Sequence, residues 1–355
     1  MKKKILISTG GSGGHIMPAI TIQDHLKIEY DILISTDLRG LKYLQNSSHK
    51  IIIIDTPKLN NLIFLPFAFV KIFFLILKFL FLLKKEKIKI LISTGGYMSL
   101  PLCIASRILN IKLFLFEPNM VLGRSNKLFI RSCKKIFCYS KNVKNFPEKL
   151  KKIISVIPPL LRKEFYSTKV NNNLKEEIKL LIIGGSQGAK IFDTIIQESI
   201  LELSKKYKLK VFHQTSPKNF DNLKNFYLKN SIRNELFDFS DNVSKFMSMS
   251  NICITRAGAS TLAELVFLNL IHIVIPLPSA KDNHQVENAL FYQGKGCNWI
   301  INQNEINNKN LTDTLVNIIE NKSEYLNKKQ NMKNFNYQNS WNIINQKIIN
   351  TINEN

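Results

Sequence analysis

Three glycine-rich stretches are the places in this sequence where chemistry is easiest to build. They are Gly10-Gly11-Ser12-Gly13-Gly14 running into His15, Thr94-Gly95-Gly96-Tyr97, and Gly184-Gly185-Ser186-Gln187-Gly188. Each follows an apolar run and opens a helix-like pattern. The first N–H groups of a helix have no intrahelical partner and lie at the positive end of its dipole, and glycine lets a phosphate approach the backbone, so such loops are anion sites. One glycine pair is ordinarily a sharp turn; three behind buried strands are harder to explain that way. The spacing argues against the common nucleotide fingerprints. Gly184 to Ile191 lacks the Walker spacing and its Ser/Thr, and no loop reads G-x-G-x-x-G, which speaks against an ATPase or a nicotinamide-dependent enzyme.

Strands must hold these loops. Short apolar runs recur at residues 5–7, 51–54, 88–92, 112–116, 180–183, 252–254 and 271–275, followed by glycine and helical periodicity. This alternation predicts an α/β fold of βαβ units around parallel sheets. The first and third loops are nearly the same turn, a pseudo-repeat of two Rossmann-like halves. A chain of 355 residues also exceeds the usual size of one core. Val156-Ile157-Pro158-Pro159 ends a strand and places the boundary near residue 160, giving domains 1–160 and 161–335. The tail, with spaced Ile, Trp341 and Tyr337, predicts an amphipathic helix over 336–355 that returns to the first domain.

Residues 62–83 are apolar except for Pro66, Lys71 and Lys78, and Lys84, Lys85 and Lys87 follow at once. Length alone permits a membrane span. Topology opposes it, because the flanking strands belong to one parallel sheet and the crossover must return. Lys71 and Lys78, seven apart, share one helical face. The segment therefore reads as a helix partly immersed in lipid, with Phe73, Phe74 and Leu77 as contacts; the bland alternative is a crossover helix buried in the core.

The net charge of +24 attracts any polyanion, but its lysines are scattered among Asn and Ile. No aromatic-interleaved basic stripe or zinc-finger pattern supports nucleic acid, so no nucleic-acid partner is expected. Five cysteines without a C-x-x-C pair signal neither a disulfide framework nor a zinc site, which fits a reducing compartment. No export signal is read, since the glycines interrupt the first apolar run too soon.

The motifs together resemble a family. Gly10 to Ala19, Ser93-Thr94-Gly95-Gly96-Tyr97, Gly184 to Ala189, Arg256-Ala257-Gly258-Ala259-Ser260-Thr261-Leu262-Ala263-Glu264 and Lys281 to Ala289 are similar, in order and separation, to the GT-B glycosyltransferases, and within them to the N-acetylglucosaminyltransferases that make lipid II. The resemblance implies two Rossmann-like domains facing a central cleft. It implies UDP-N-acetylglucosamine as donor and undecaprenyl-diphospho-MurNAc-pentapeptide (lipid I) as acceptor, worked at the cytoplasmic face of the bacterial membrane by a peripheral protein on an anionic surface.

Site roles follow from the resemblance. The donor falls to Ser12, Gly13, Gly14, Asn119, Arg162, Ser186, Ser240, Ala259, Ser260, Thr261, Glu264 and Gln285. In that reading Glu264, one turn into its helix, takes the ribose hydroxyls and Gln285 the sugar. The acceptor diphosphate falls to Gly13, Gly14, Gly95, Gly96 and Tyr97. His15 is the candidate base of an inverting transfer, with a helix-start histidine that merely binds phosphate as the equal alternative. Glu117 and Asn119 join the catalytic set. Phe116-Glu117-Pro118-Asn119 and Pro158-Pro159 depart from the family's pattern, as does His284 beside Gln285. No Asp-x-Asp clamp stands out, so no metal or other cofactor is expected, and no protein partner is indicated. Rival readings are a glycolipid synthase with a diacylglycerol acceptor, an integral membrane protein, and a non-catalytic nucleotide-binding scaffold.

Overall fold

The computed structural model describes residues 2–44, 50–57, 65–184, 191–238 and 243–355. The chain divides into two compact units, Met1–Lys163 with Ser340–Asn355, and Glu164–Asn339. The first boundary falls a little beyond residue 160 for a physical reason. Leu160 and Leu161 are buried, and the Leu160 N–H donates to the Tyr139 hydroxyl at 3.1 Å, which keeps this stretch in the first unit.

The first unit carries the strands β1 (Lys4–Ser8), β2 (Asp31–Thr36), β3 (Ile51–Ile53), β4 (Ile88–Ser93), β5 (Lys112–Glu117), β6 (Lys135–Cys138) and β7 (Ile154–Val156). They form one parallel sheet in the order β3-β2-β1-β4-β5-β6-β7. The second unit carries β8 (Glu177–Ile183), β9 (Lys208–Gln214), β10 (Arg233–Phe237), β11 (Ile252–Thr255), β12 (Ile271–Val274) and β13 (Trp299–Ile300), ordered β10-β9-β8-β11-β12-β13 and again parallel. Helices cover both faces, which is why the central strands are apolar on both sides instead of alternating. In each unit the order reverses beside the first strand, between β1 and β4 and between β8 and β11. Such switch points leave a crevice at the carboxyl ends of the strands, where the first two glycine loops begin and Gly184 follows β8; residues 185–188 of the third loop lie outside the described residues.

The helix Leu65–Lys85 crosses from β3 to β4, two strands of the same parallel sheet. Ala68, Ile72, Phe79 and Leu83, at helical spacing, are buried against the first unit's core. The opposite face is uncovered, with Phe67 75%, Phe73 57%, Phe74 62%, Leu77 46% and Phe81 70% exposed. A core helix would not leave these rings in solvent, so the reading of this segment as wholly buried core does not hold. Residues 62–64 of it lie outside the described residues. Lys71 is ion-paired to Asp55 at 2.5 Å, while Lys78, Lys84 and Lys85 are exposed.

The helix Trp341–Asn353 packs on the helix Gly13–Leu26 through buried Ile344, Ile348 and Ile352, and Tyr30 donates to the Asn353 side chain at 2.8 Å. Trp341 stacks on His25 with ring centroids 3.7 Å apart.

Burial decides the charge of two histidines here. It pushes His25 down to about 4 against the opposing pull of Asn345 and Asp24, and pushes His272 in β12 down to about 4. The folded protein keeps both neutral, whereas the unfolded chain takes up each proton near 6.5. Stability is therefore intact above pH 6.5 and drains away as pH falls toward 4, by about 3 kcal/mol per histidine. In a Trp341→Phe background, urea unfolding read through Trp299 should weaken over that window. His272→Asn keeps a donor for the Leu270 carbonyl, which Nδ1 meets at 2.7 Å, and should flatten the dependence. An equal slope in the variant would remove His272 as its source.

Candidate active site

In the first unit β1 and β4 deliver two glycine loops side by side. The Thr94 N–H donates to the Ser8 carbonyl at 3.0 Å and the Thr94 hydroxyl to Thr9 Oγ1 at 2.9 Å. The helix Gly13–Leu26 begins after Ser12, whose side chain makes no cap. The N–H groups of His15 and Ile16 return to the Ser12 carbonyl, while those of Gly13 and Gly14 have no partner among the described residues.

His15 Nδ1 lies 2.8 Å from the Thr94 carbonyl oxygen. A carbonyl only accepts, so Nδ1 carries the proton and Nε2 keeps its lone pair. Gly95 and Gly96 adopt φ of +89° and +81°, where a Cβ would lie 3.4 Å from His15 Cε1 and 3.7 Å from Cδ2. Glycine is thus required for the backbone to wrap the ring. A histidine turned by the second glycine loop, with its basic nitrogen outward, is arranged to take a proton.

Asp37, which follows β2, ties the first loop down. Its Oδ1 accepts from the N–H groups of Gly11 and Gly40, each at 2.9 Å, and its Oδ2 accepts from Arg39 Nε at 2.9 Å. Burial pushes its pKa up, but these donors and the Arg39 charge prevail and hold it below the usual carboxylate range. Arg39 Nη2 donates in turn to the Tyr97 hydroxyl at 3.1 Å. Neither Asp37 nor Arg39 was expected from the sequence, because the turn after β2 holds a lone glycine, Gly40, and no glycine pair to mark it.

Glu117 is 3% exposed at the end of β5. Its Oε1 accepts from the Asn119 N–H at 3.2 Å and Nδ2 at 3.0 Å; its Oε2 accepts from the Gly123 N–H at 2.7 Å and Asn126 Nδ2 at 3.0 Å. A carboxylate with four such donors is a brace for the loop that carries Asn119. Asn126, also missed from sequence, further donates to the Phe116 carbonyl at 3.0 Å. Ser99 and Ser125 both donate to the Gly96 carbonyl, at 2.8 and 2.9 Å, and fix the second loop from behind.

The second unit repeats the scheme at β11. Gly258 precedes the helix Ala259–Phe267 without a side-chain cap, and the N–H groups of Ala259, Ser260 and Thr261 have no partner among the described residues. Glu264, one turn later, is 7% exposed. Arg256 lies beneath this start. Its Nη1 donates to the Ile275 carbonyl at 3.0 Å, its Nη2 to Gln303 Oε1 at 2.6 Å, and its guanidinium carbon stands 4.8 Å from the Phe192 ring centroid.

Gln285 Oε1 accepts from the N–H groups of Ala257 at 3.2 Å and Leu277 at 2.9 Å. That half of the amide is committed to the backbone, so only Nε2 remains to donate. His284 Nδ1 faces the Lys281 carbonyl at 2.7 Å, which leaves Nε2 as an acceptor beside it. The turn before them holds Asp282 and Asn283 at φ of +53° and +58°, a conformation that costs a non-glycine residue about 1–2 kcal/mol.

Arg162 is half-buried and belongs to the first unit instead of the domain beginning at 161. Ser186 and Ser240 lie outside the described residues. These thiols are poor nucleophiles: burial pushes buried Cys103 and half-buried Cys133 up to about 12 and Cys297 to about 11.

The N-terminal domain of glycosyltransferase family 28 matches residues 5–138 and its C-terminal domain residues 179–344. A "UDP-N-acetylglucosamine--N-acetylmuramyl-(pentapeptide) pyrophosphoryl-undecaprenol N-acetylglucosamine transferase" of Pelagibacter ubique is 56% identical over 356 residues, covering 100% of both chains. The protein of the same name from Rickettsia bellii is 36% identical over 90% of this chain and 91% of its own. In fold, the crystal structure of Acinetobacter baumannii MurG superposes with a TM-score of 0.78 at 21% identity, covering 100% of each chain. Two parallel α/β units with this likeness make the GT-B fold, and with more than half of its residues shared along the whole of a curated relative, the chain belongs to glycosyltransferase family 28 as a member of its UDP-GlcNAc-dependent N-acetylglucosamine transferases.

Proposed function

We propose that this protein transfers N-acetylglucosamine from UDP-GlcNAc to the MurNAc 4-hydroxyl of undecaprenyl-diphospho-MurNAc-pentapeptide, with inversion, giving lipid II for peptidoglycan. The observation that carries the reading is the full-length identity of 56% to a transferase whose name states those substrates. The geometry supports it with groups suited to each part of the reaction. Donor diphosphate goes to the N–H groups of Ala259, Ser260 and Thr261, where charge growing on departing UDP meets a helix dipole. Glu264 accepts from the ribose hydroxyls and Gln285 Nε2 donates to the sugar. The acceptor diphosphate goes to Gly13, Gly14, Gly95, Gly96 and Tyr97. His15 Nε2 removes the proton of the attacking hydroxyl, and Glu117 holds the Asn119 loop.

Work on a lipid-linked acceptor requires a place at the bilayer. The helix Leu65–Lys85 is apolar and long enough to span one, yet one face is committed to the core and both its flanking strands lie in one sheet. It therefore lies in the interface of the cytoplasmic leaflet, with exposed lysines on anionic head groups. Alkaline extraction should release the protein, whereas high salt should loosen it only in part; retention at alkaline pH would indicate a span.

Radiolabelled transfer tests the reaction. Label should pass from UDP-GlcNAc to lipid I and not to diacylglycerol. Transfer to diacylglycerol alone, or hydrolysis without transfer, would overturn the reading. Within it, Glu264→Ala should weaken UDP-GlcNAc binding by about 1–3 kcal/mol, the scale of hydrogen bonds to a charged group. Unchanged calorimetric affinity on folded protein would release Glu264 from the ribose.

A further inference from the structure

We propose that Arg39 recognises the diphosphate of the lipid-linked acceptor, as a specificity-determining residue that no loop motif contains. The proposal rests on the reading that places this diphosphate at the first unit's glycine loops. Arg39 lies in the turn Leu38–Leu41 after β2, and β2 pairs with β1 up to Ser8, so this turn borders the first loop. Its guanidinium is held from two sides. Nε and Nη2 both meet Asp37 Oδ2 at 2.9 Å, and Nη2 donates to the Tyr97 hydroxyl at 3.1 Å.

Asp37 is itself fixed by the N–H groups of Gly11 and Gly40 through its other oxygen. The arginine thereby inherits its position from the loop's own backbone: Nη2 is 3.7 Å from where a Cβ on Gly11 would stand. Nη1 has no partner among the described residues, and the side chain is 52% exposed. An ion pair this open adds little to stability. Its effect is to pre-orient the two remaining Nη1 N–H donors beside a loop whose Gly13 and Gly14 N–H groups have no partner among the described residues, and charge-assisted donors fixed in direction hold phosphate oxygens in a way that a freely rotating ammonium does not. Tyr97 joins the two, since its backbone belongs to the second loop and its hydroxyl grips Arg39.

The test compares acceptors. With a diphosphate-linked MurNAc-pentapeptide acceptor, Arg39→Ala should raise acceptor KM about 10- to 100-fold, while UDP-GlcNAc KM stays within about twofold. Arg39→Lys should recover only a minor part, because one ammonium cannot keep the Asp37 and Tyr97 contacts and still present oriented donors to the phosphate. With a phosphate-free MurNAc-pentapeptide glycoside, Arg39→Ala and wild type should be alike; titration with a short-chain prenyl diphosphate should show the same loss as the first assay. Unchanged acceptor KM in Arg39→Ala, or an equal loss on the phosphate-free acceptor, would overturn the proposal, the latter by showing a merely structural role. Wild type that uses neither acceptor would sink the acceptor reading and the proposal with it.

Discussion

Replacing His15 with alanine is expected to lower turnover about 10²- to 10⁴-fold, the range for losing a positioned general base, with UDP-GlcNAc affinity nearly unchanged. The expectation follows from the tautomer. The Thr94 carbonyl 2.8 Å from Nδ1 fixes the proton there, so the lone pair on Nε2 is available before substrate arrives. No other described residue of these two loops offers a comparable base. Glu117 is nearer the usual idea of a catalytic carboxylate, but its oxygens are already occupied by four donors. The variant His15→Gln sharpens the result, since an amide can still donate to Thr94 yet cannot take a proton. Both variants should fail alike in single-turnover chemistry. If His15→Gln keeps near-wild-type turnover, or if alanine merely weakens acceptor binding, His15 positions phosphate and another group takes the proton.

Serine at Phe73, Phe74 and Leu77 together should detach the protein from vesicles while leaving its chemistry intact. These side chains are about half exposed, and moving the exposed part of each into acyl chains is worth about 1 kcal/mol, so the triple change loses about 3 kcal/mol or two orders of magnitude in partitioning. Lysine attraction to head groups remains, but it is screened over a Debye length of about 8 Å at physiological salt. Wild type on anionic vesicles should therefore float at high salt with reduced yield, and the triple variant should not float at all. Transfer to a short-chain, water-soluble acceptor should persist in both. Because Ala68, Ile72, Phe79 and Leu83 form the core-facing stripe and are untouched, folding should survive. Undiminished flotation would mean that lipid docks elsewhere. Loss of solubility together with transfer would mean that the exposed face contributes to packing after all.

Local chemistry was legible in the sequence wherever it is written in consecutive residues. The first two glycine loops, the helix start at Gly258-Ala259-Ser260, the apolar runs that became β1, β3, β4, β5, β8, β11 and β12, and the exposed apolar face of residues 65–85 all follow from backbone freedom, helix ends and periodicity, which depend on near neighbours. Strands such as β9 and β10 did not stand out, because lysines, arginine and glutamate interrupt them and β10 is a sheet edge with water on one side. What depends on residues far apart in the chain was decided only by the tertiary structure. Asp37 meets Gly11 because β2 lies beside β1, and Tyr97 reaches Arg39 because β4 lies on the other side. The proton on His15 is assigned by a carbonyl 79 positions away. Gln285 has only Nε2 left to donate because Ala257 and Leu277 claim its Oε1. A hydrogen bond is settled by which donors and acceptors the strand order brings within 3 Å, and that order is a property of the whole sheet.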